Sequence, residues 1–119
     1  MATDATVETF PELVKAGHVL LDVWGPDCAP CVALMPAVEA LEERYEGRLR
    51  VLKLNAPENR QVCRDMRVAG LPTYITLRGG GEVERVTGNG ATIADIEAAI
   101  ERLLAGAPVT GLPVPKHLR

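Results

Sequence analysis

Cys28 and Cys31 are separated by two residues in a stretch that reads Gly25, Pro26, Asp27, Cys28, Ala29, Pro30, Cys31. On the first turn of a helix, thiols at this spacing lie close enough to close a small disulfide ring with little backbone movement. Structural zinc sites use the same spacing, so the pair alone leaves metal binding open. In the redox reading, the unpaired N–H groups and partial positive charge of a helix N-terminus lower the pKa of the first thiol, making Cys28 the attacking thiolate. Cys31, one turn in and more buried, resolves the mixed disulfide by attacking Cys28. Pro30 fixes the turn between them. A tetrahedral zinc site needs four ligands, and beyond this pair the chain offers only Cys63, His18 and His117, with no second Cys-x-x-Cys and no His pair. That ligand arithmetic favours reversible thiol oxidation, which calls for no metal and no cofactor.

The elements around the pair must hold it at a helix start. Residues 18–24 run His, Val, Leu, Leu, Asp, Val, Trp, apolar except for the terminal histidine and Asp22, as in a strand covered on both faces. After the punctuated stretch, Leu34, Val38, Leu41 and Tyr45 recur at helical spacing as far as Gly47, with Pro36 inside the helix as a source of a kink. Before the strand, Thr9-x-x-Glu12 resembles a capping box, and Phe10, Leu13 and Val14 followed by Gly17 predict a short helix, preceded by a short first strand. Residues 49–54 read as a buried strand and 57–66 as a short helix. Residues 74–77 and 82–86 form a hairpin turning at Gly79, Gly80 and Gly81. Thr92-x-x-Asp95 opens a last helix with Ile93, Ile96, Ile100, Leu103 and Leu104 along one side, ending near Gly106. The expected unit covers residues 1–106; 107–119, with Pro108, Pro113 and Pro115, reads as a tail whose Val109, Leu112 and Val114 can rest on the domain.

Composition narrows the class of protein. A chain of 119 residues with 47% hydrophobic residues closes one core, and a formal charge of −3 offers no basic stripe for nucleic acid. No stretch approaches the roughly 20 apolar residues of a membrane span, and residues 1–10 lack the basic start and apolar run of an export leader. Three cysteines is a small, odd number that suits reactive thiols in a reducing compartment better than a disulfide scaffold. The expectation is a cytoplasmic monomer without nucleic-acid or membrane partners.

From residue 19 to 104 the chain resembles the thioredoxin family. The resemblance rests on Leu21, Asp22, Val23 and Trp24 before the motif Cys28, Ala29, Pro30, Cys31; on Pro36 in the following helix; on Lys53 in the next strand; on Gly70, Leu71, Pro72 and Thr73; and on Gly88 after the hairpin. It implies an α/β thioredoxin fold, a central mixed sheet of four or five strands flanked by about four helices. It implies a cis Pro72 facing the disulfide, a form that only proline adopts cheaply. It makes Asp22 a buried acid that exchanges a proton with Cys31 through water, its pKa raised by apolar surroundings, with Lys53 beside it restraining the shift. It assigns contact with an extended substrate peptide to the backbone of Leu71 in a strand-addition mode, on a surface made up of Trp24, Asp27, Ala29, Pro30, Leu71, Pro72 and Gly88. For Trp24 the plainer role is packing under the active-site loop. The activity implied is reduction of protein disulfides, with electrons from a separate thioredoxin-reductase-like donor.

The chain departs from the family beside the first cysteine, where tryptophan and glycine are usual and Asp27 and Ala29 stand instead. The Asp27 charge opposes thiolate formation while the helix N-terminus favours it; as an alternative, Asp27 caps the helix. Ala29 is the better helix former by about 1 kcal/mol. Two further functions stay open on sequence: a binding or metal-binding module on the same fold, and an oxidase or isomerase working in the opposite redox direction, since direction follows potential and partner. Cys63, on the short helix near Val62 and Met66, reads as a small buried apolar residue rather than a second redox centre.

Overall fold

The computed structural model of the protein describes residues 3–5, 17–88 and 90–110; the helix expected between Phe10 and Gly17 and the end of the tail lie outside them. Five strands form one mixed sheet in the order β1-β3-β2-β4-β5: β1 Thr3–Ala5, β2 His18–Trp24, β3 Arg50–Asn55, β4 Thr73–Arg78 and β5 Gly81–Thr87. β1 and β2 run parallel to β3, while β4 runs antiparallel to both β2 and β5. Three α-helices are described: α1 Ala29–Arg44, α2 Arg60–Asp65 and α3 Ile93–Leu104.

The apolar character of β2, broken after His18 only by Asp22, follows from its central place. Val19, Leu21 and Val23 join a core layer with Leu52, Leu54, Val62, Met66, Ile75 and Leu77. Leu20 points the other way, into a layer with Val38, Leu41, Tyr74, Ile96, Ile100 and Leu103 under α1 and α3. Alternation within a strand thus feeds both layers, and Asp22, sharing parity with Leu20, is committed to the α1/α3 side.

Local chemistry sets the ends of the elements. Thr92 and Asp95 form a complete capping box, each side chain accepting from the other's backbone N–H at 3.1 Å. The hairpin turns on two residues, Gly79 at φ 55° and Gly80 at φ 85°, so Gly81 belongs to β5 and not to the turn. Position 81 is glycine for a packing reason, because a Cβ there would lie 2.8 Å from Cγ1 of Val109. The helix expected over residues 57–66 is divided into a 3-10 turn, Ala56–Glu58, and α2. Asn55 and Asn59 cause the break. The Asn55 side chain accepts from the Glu58 N–H, and Asn59 Nδ2 donates to the Asn55 carbonyl at 2.9 Å, bonds that compete with a continuous helix.

Residues 107–110 lie against β5. Thr110 donates its N–H to the Glu82 carbonyl at 3.1 Å and its hydroxyl to the Val83 carbonyl at 3.0 Å. The Arg78 guanidinium holds the Leu103 and Ala107 carbonyls, both at 2.6 Å, where α3 gives way to this segment.

Candidate functional site

Cys28 is itself the N-cap of α1. Its backbone is extended, and its Sγ accepts a hydrogen bond from the Cys31 N–H at 3.3 Å. Asp27 is therefore not the cap; it is exposed, one residue outside the helix. Ala29 and Pro30 occupy the first two helical positions, where the missing proline donor would be unpaired in any residue. Cys28 and Cys31 are joined as a disulfide with their Cα atoms 5.3 Å apart, inside the range such bridges need. The two sulfurs are not equivalent: Cys28 is partly exposed, whereas Cys31 faces the core at 1% exposure.

The loop carrying the cysteines meets a second loop across the sheet. The register Val23↔Thr73 brings Pro72 alongside Trp24, at the end of β2 that leads to Cys28. The Leu71–Pro72 peptide bond is cis, and Pro72 is buried. Gly25 makes room for this approach: a Cβ there would stand 3.2 Å from Leu71 Cδ1 and 3.6 Å from Pro57 Cδ. The Thr73 hydroxyl donates to the Gly70 carbonyl at 2.6 Å and closes the loop from within. Gly88 joins it from β5, donating its N–H to the Pro72 carbonyl at 3.0 Å from a φ of 94° that suits glycine. Trp24 is half-buried, and its indole Nε1 is buried without a hydrogen-bond partner among the described residues.

Asp22 lies beneath this surface, fully buried. Burial above all pushes its carboxyl up from 3.8 to about 7; Lys53 pulls it down and Glu39 pushes it further up. Lys53 is the strand partner of Asp22, but the ion pairs of its Nζ are with Asp4 at 3.7 Å and Glu39 at 3.6 Å. Glu39 went unmarked in the sequence because only the docking angle of α1 brings it over β3. Cys63 is a free, buried thiol whose pKa is raised by burial, the opposite of what a nucleophile needs. Among the described residues no group of three or more His, Cys, Asp and Glu side chains could hold a metal ion.

A family model described as Thioredoxin matches residues 2–102. The chain belongs to the thioredoxin family. Thioredoxin of Peptoclostridium acidaminophilum is 41% identical over 92 residues, which span 76% of this chain and 84% of that protein. Thioredoxin 1 of Nostoc sp. is 36% identical over 89 residues, 73% of this chain and 83% of that one. Among solved structures, thioredoxin f from spinach chloroplast superposes with a TM-score of 0.79 at 30% identity, covering 86% of this chain and 85% of that one. A chain from the complex of ferredoxin:thioredoxin reductase with thioredoxin f2 gives a TM-score of 0.76 at 30% identity, covering 84% and 92%. With its cysteine pair closed at the N-terminus of α1, this thioredoxin-family chain is a dithiol–disulfide oxidoreductase, a thioredoxin-like disulfide reductase.

Proposed function

We propose that the chain reduces disulfides of protein substrates, with Cys28 as the attacking thiolate and Cys31 as the resolving thiol. The observation that carries this is the asymmetry of the pair, one sulfur reachable at a helix N-terminus and the other buried behind it. In the dithiol form, the Cys28 thiolate bonds to one substrate sulfur, the substrate S–S bond breaks, and the other substrate sulfur leaves with the electron pair and is protonated. The Cys31 thiol then gives its proton through water to the Asp22 carboxylate, and its sulfur bonds to Cys28 while the first substrate sulfur departs with the electron pair and is protonated. Two electrons pass to the substrate and the Cys28–Cys31 disulfide remains. A carboxyl that titrates near 7 is matched to that proton transfer at neutral pH.

Lys53 favours the ionised form of Asp22, so that more of it is free to accept near neutral pH, with some loss of basicity. The substrate chain runs over Trp24, Asp27, Ala29, Pro30, Leu71, Pro72 and Gly88, with the Leu71 backbone available for strand addition. Val32 adds apolar surface on the turn after Cys31, at 48% exposure. Electrons to reset the disulfide come from a separate thioredoxin-reductase-like protein, and no cofactor is needed. The solved complex of a related thioredoxin f2 with ferredoxin:thioredoxin reductase supports a reductase of that general kind. The protein acts as a cytosolic monomer; among the described residues the exposed large apolar side chains are Val32 and Val109, too few to form an extended apolar interface.

Insulin reduction with dithiothreitol tests the assignment. Cys28→Ser should abolish turnover, and Cys31→Ser should accumulate a mixed disulfide through Cys28; wild-type turnover in Cys28→Ser refutes it. The direction is read from the reduction potential against glutathione. A value near the roughly −270 mV known for thioredoxin supports a reductase, and one near about −120 mV an oxidant.

A further inference from the structure

Over four of the five strands, one transverse row of the sheet is polar. The register sets Asp4 of β1 opposite Lys53 of β3, Lys53 opposite Asp22 of β2, and Asp22 opposite Tyr74 of β4. Residues opposite one another share a face, and Tyr74 fixes that face as the one under α1 and α3. Side-chain exposure falls inward along the row, from 78% at Asp4 to 15% at Lys53, while the innermost residues Asp22 and Tyr74 are 0% and 1% exposed. The outer end is paired through Lys53, Asp4 and Glu39. At the inner end, both Asp22 carboxyl oxygens and the Tyr74 hydroxyl are buried with no hydrogen-bond partner among the described residues.

These two side chains are chemically matched. A phenol offers one O–H donor and a carboxylate only acceptors, and they are direct cross-strand neighbours. A single water that accepts from the phenol and donates to the carboxylate satisfies both, the usual solution for buried polar groups that fall short of each other. We propose that Tyr74 is a positioning residue for Asp22, its O–H donating through one buried water to the carboxylate that takes the Cys31 proton. The inference rests on the reading of Asp22 as that acceptor. In the step itself the proton moves from Cys31 sulfur to Asp22, the S–S bond to Cys28 forms, and the bond from Cys28 to substrate breaks; Tyr74 neither gains nor loses a proton. Burial first, and the Asp22 charge second, push the Tyr74 phenol upward and keep it a donor throughout.

A donor to the carboxylate favours its charged form, so Tyr74 acts with Lys53 and against Glu39 and burial. The charged and titratable groups facing Asp22 are then Lys53 from β3, Glu39 from α1 and Tyr74 from β4, with Asp4 of β1 acting through Lys53. The test follows the Asp22 carboxyl by 13C NMR against pH in the disulfide form of the full chain, with Asp22→Asn identifying the resonance. The wild-type midpoint should lie well above the ordinary carboxyl value of 3.8, and below the value that burial, Lys53 and Glu39 alone would set. Tyr74→Phe should raise it by roughly half to one pH unit, the share of a charge-assisted hydrogen bond passed on through water. The acid limb of insulin reduction should move with it. A midpoint that is unmoved or lowered overturns the role of Tyr74 and leaves Asp22 in place; a wild-type protein with no carboxyl titrating well above the ordinary range refutes the Asp22 reading itself. A second measurement leaves the packing intact: 3-fluorotyrosine, incorporated at Tyr45 and Tyr74, is a stronger donor and should lower the midpoint. Tyr45 is occupied elsewhere, its hydroxyl donating to Glu101 at 2.6 Å, so a rise or no change on fluorination also overturns the proposal.

Discussion

Replacing Asp22 with asparagine should stabilise the protein, and by an amount that grows with pH. The folded chain holds the Asp22 proton up to about 7, while the unfolded chain releases it near the ordinary value of 3.8. Between those values the folded state binds more protons than the unfolded state, so wild-type stability falls as pH rises through this window and is level above it. About three pKa units at 1.36 kcal/mol each give about 4 kcal/mol lost between pH 4 and pH 8. Asparagine cannot ionise, so Asp22→Asn escapes that loss. Its amide is buried in the same place, at a cost that is the same at every pH and drops out of the slope. Urea unfolding of the disulfide form, followed by the fluorescence of Trp24, the chain's single tryptophan, measures both proteins at about pH 4, 5.5, 7 and 8.5 under one m-value. A difference between variant and wild type that stays constant across this range refutes a buried carboxyl titrating near neutrality.

Three other substitutions probe separate parts of the structure. Thr92→Ala removes one half of the capping box of α3 and should cost about 1 kcal/mol in urea unfolding, with the oxidised spectrum otherwise native. Gly88→Ala forces a side chain onto a φ of 94° at the residue whose N–H holds the Pro72 carbonyl. A loss of about 1–2 kcal/mol is expected, together with slower insulin reduction. Cys63→Ala deletes one buried sulfur outside the redox pair; stability should drop by about 1 kcal/mol, and turnover in the insulin assay should match wild type. Fast labelling of Cys63 in the folded disulfide form, seen by mass spectrometry, would contradict its burial.

Much of the architecture was legible because it is local. The apolar run at 18–24 has to be covered on both sides, and the box at Thr92 and Asp95 is closed by two side chains three residues apart. Both signals lie within one element. The reading was less sharp where backbone and side chain compete, as at Asn55 and Asn59, whose bonds divide one expected helix in two. Position 81 belongs with them: its glycine has the residue type of a turn but is a strand residue kept small by Val109, 28 positions later. Asp27 was a plausible cap by residue type, but the backbone turns one position later and gives that place to Cys28.

By itself the sequence determined the close pairing of Cys28 and Cys31, the helix they open and the acid in the strand before it, because spacing along one stretch of chain decides those relations. Only the tertiary structure decided what surrounds them. Gly88 reaches the Pro72 carbonyl through the β4–β5 pairing, Glu39 reaches Lys53 through the docking of α1, and Asp22 lies level with Tyr74 through the β2–β4 register. Register and docking depend on contacts between segments far apart in the chain, and a shift of one residue turns every side chain of a strand to the other face.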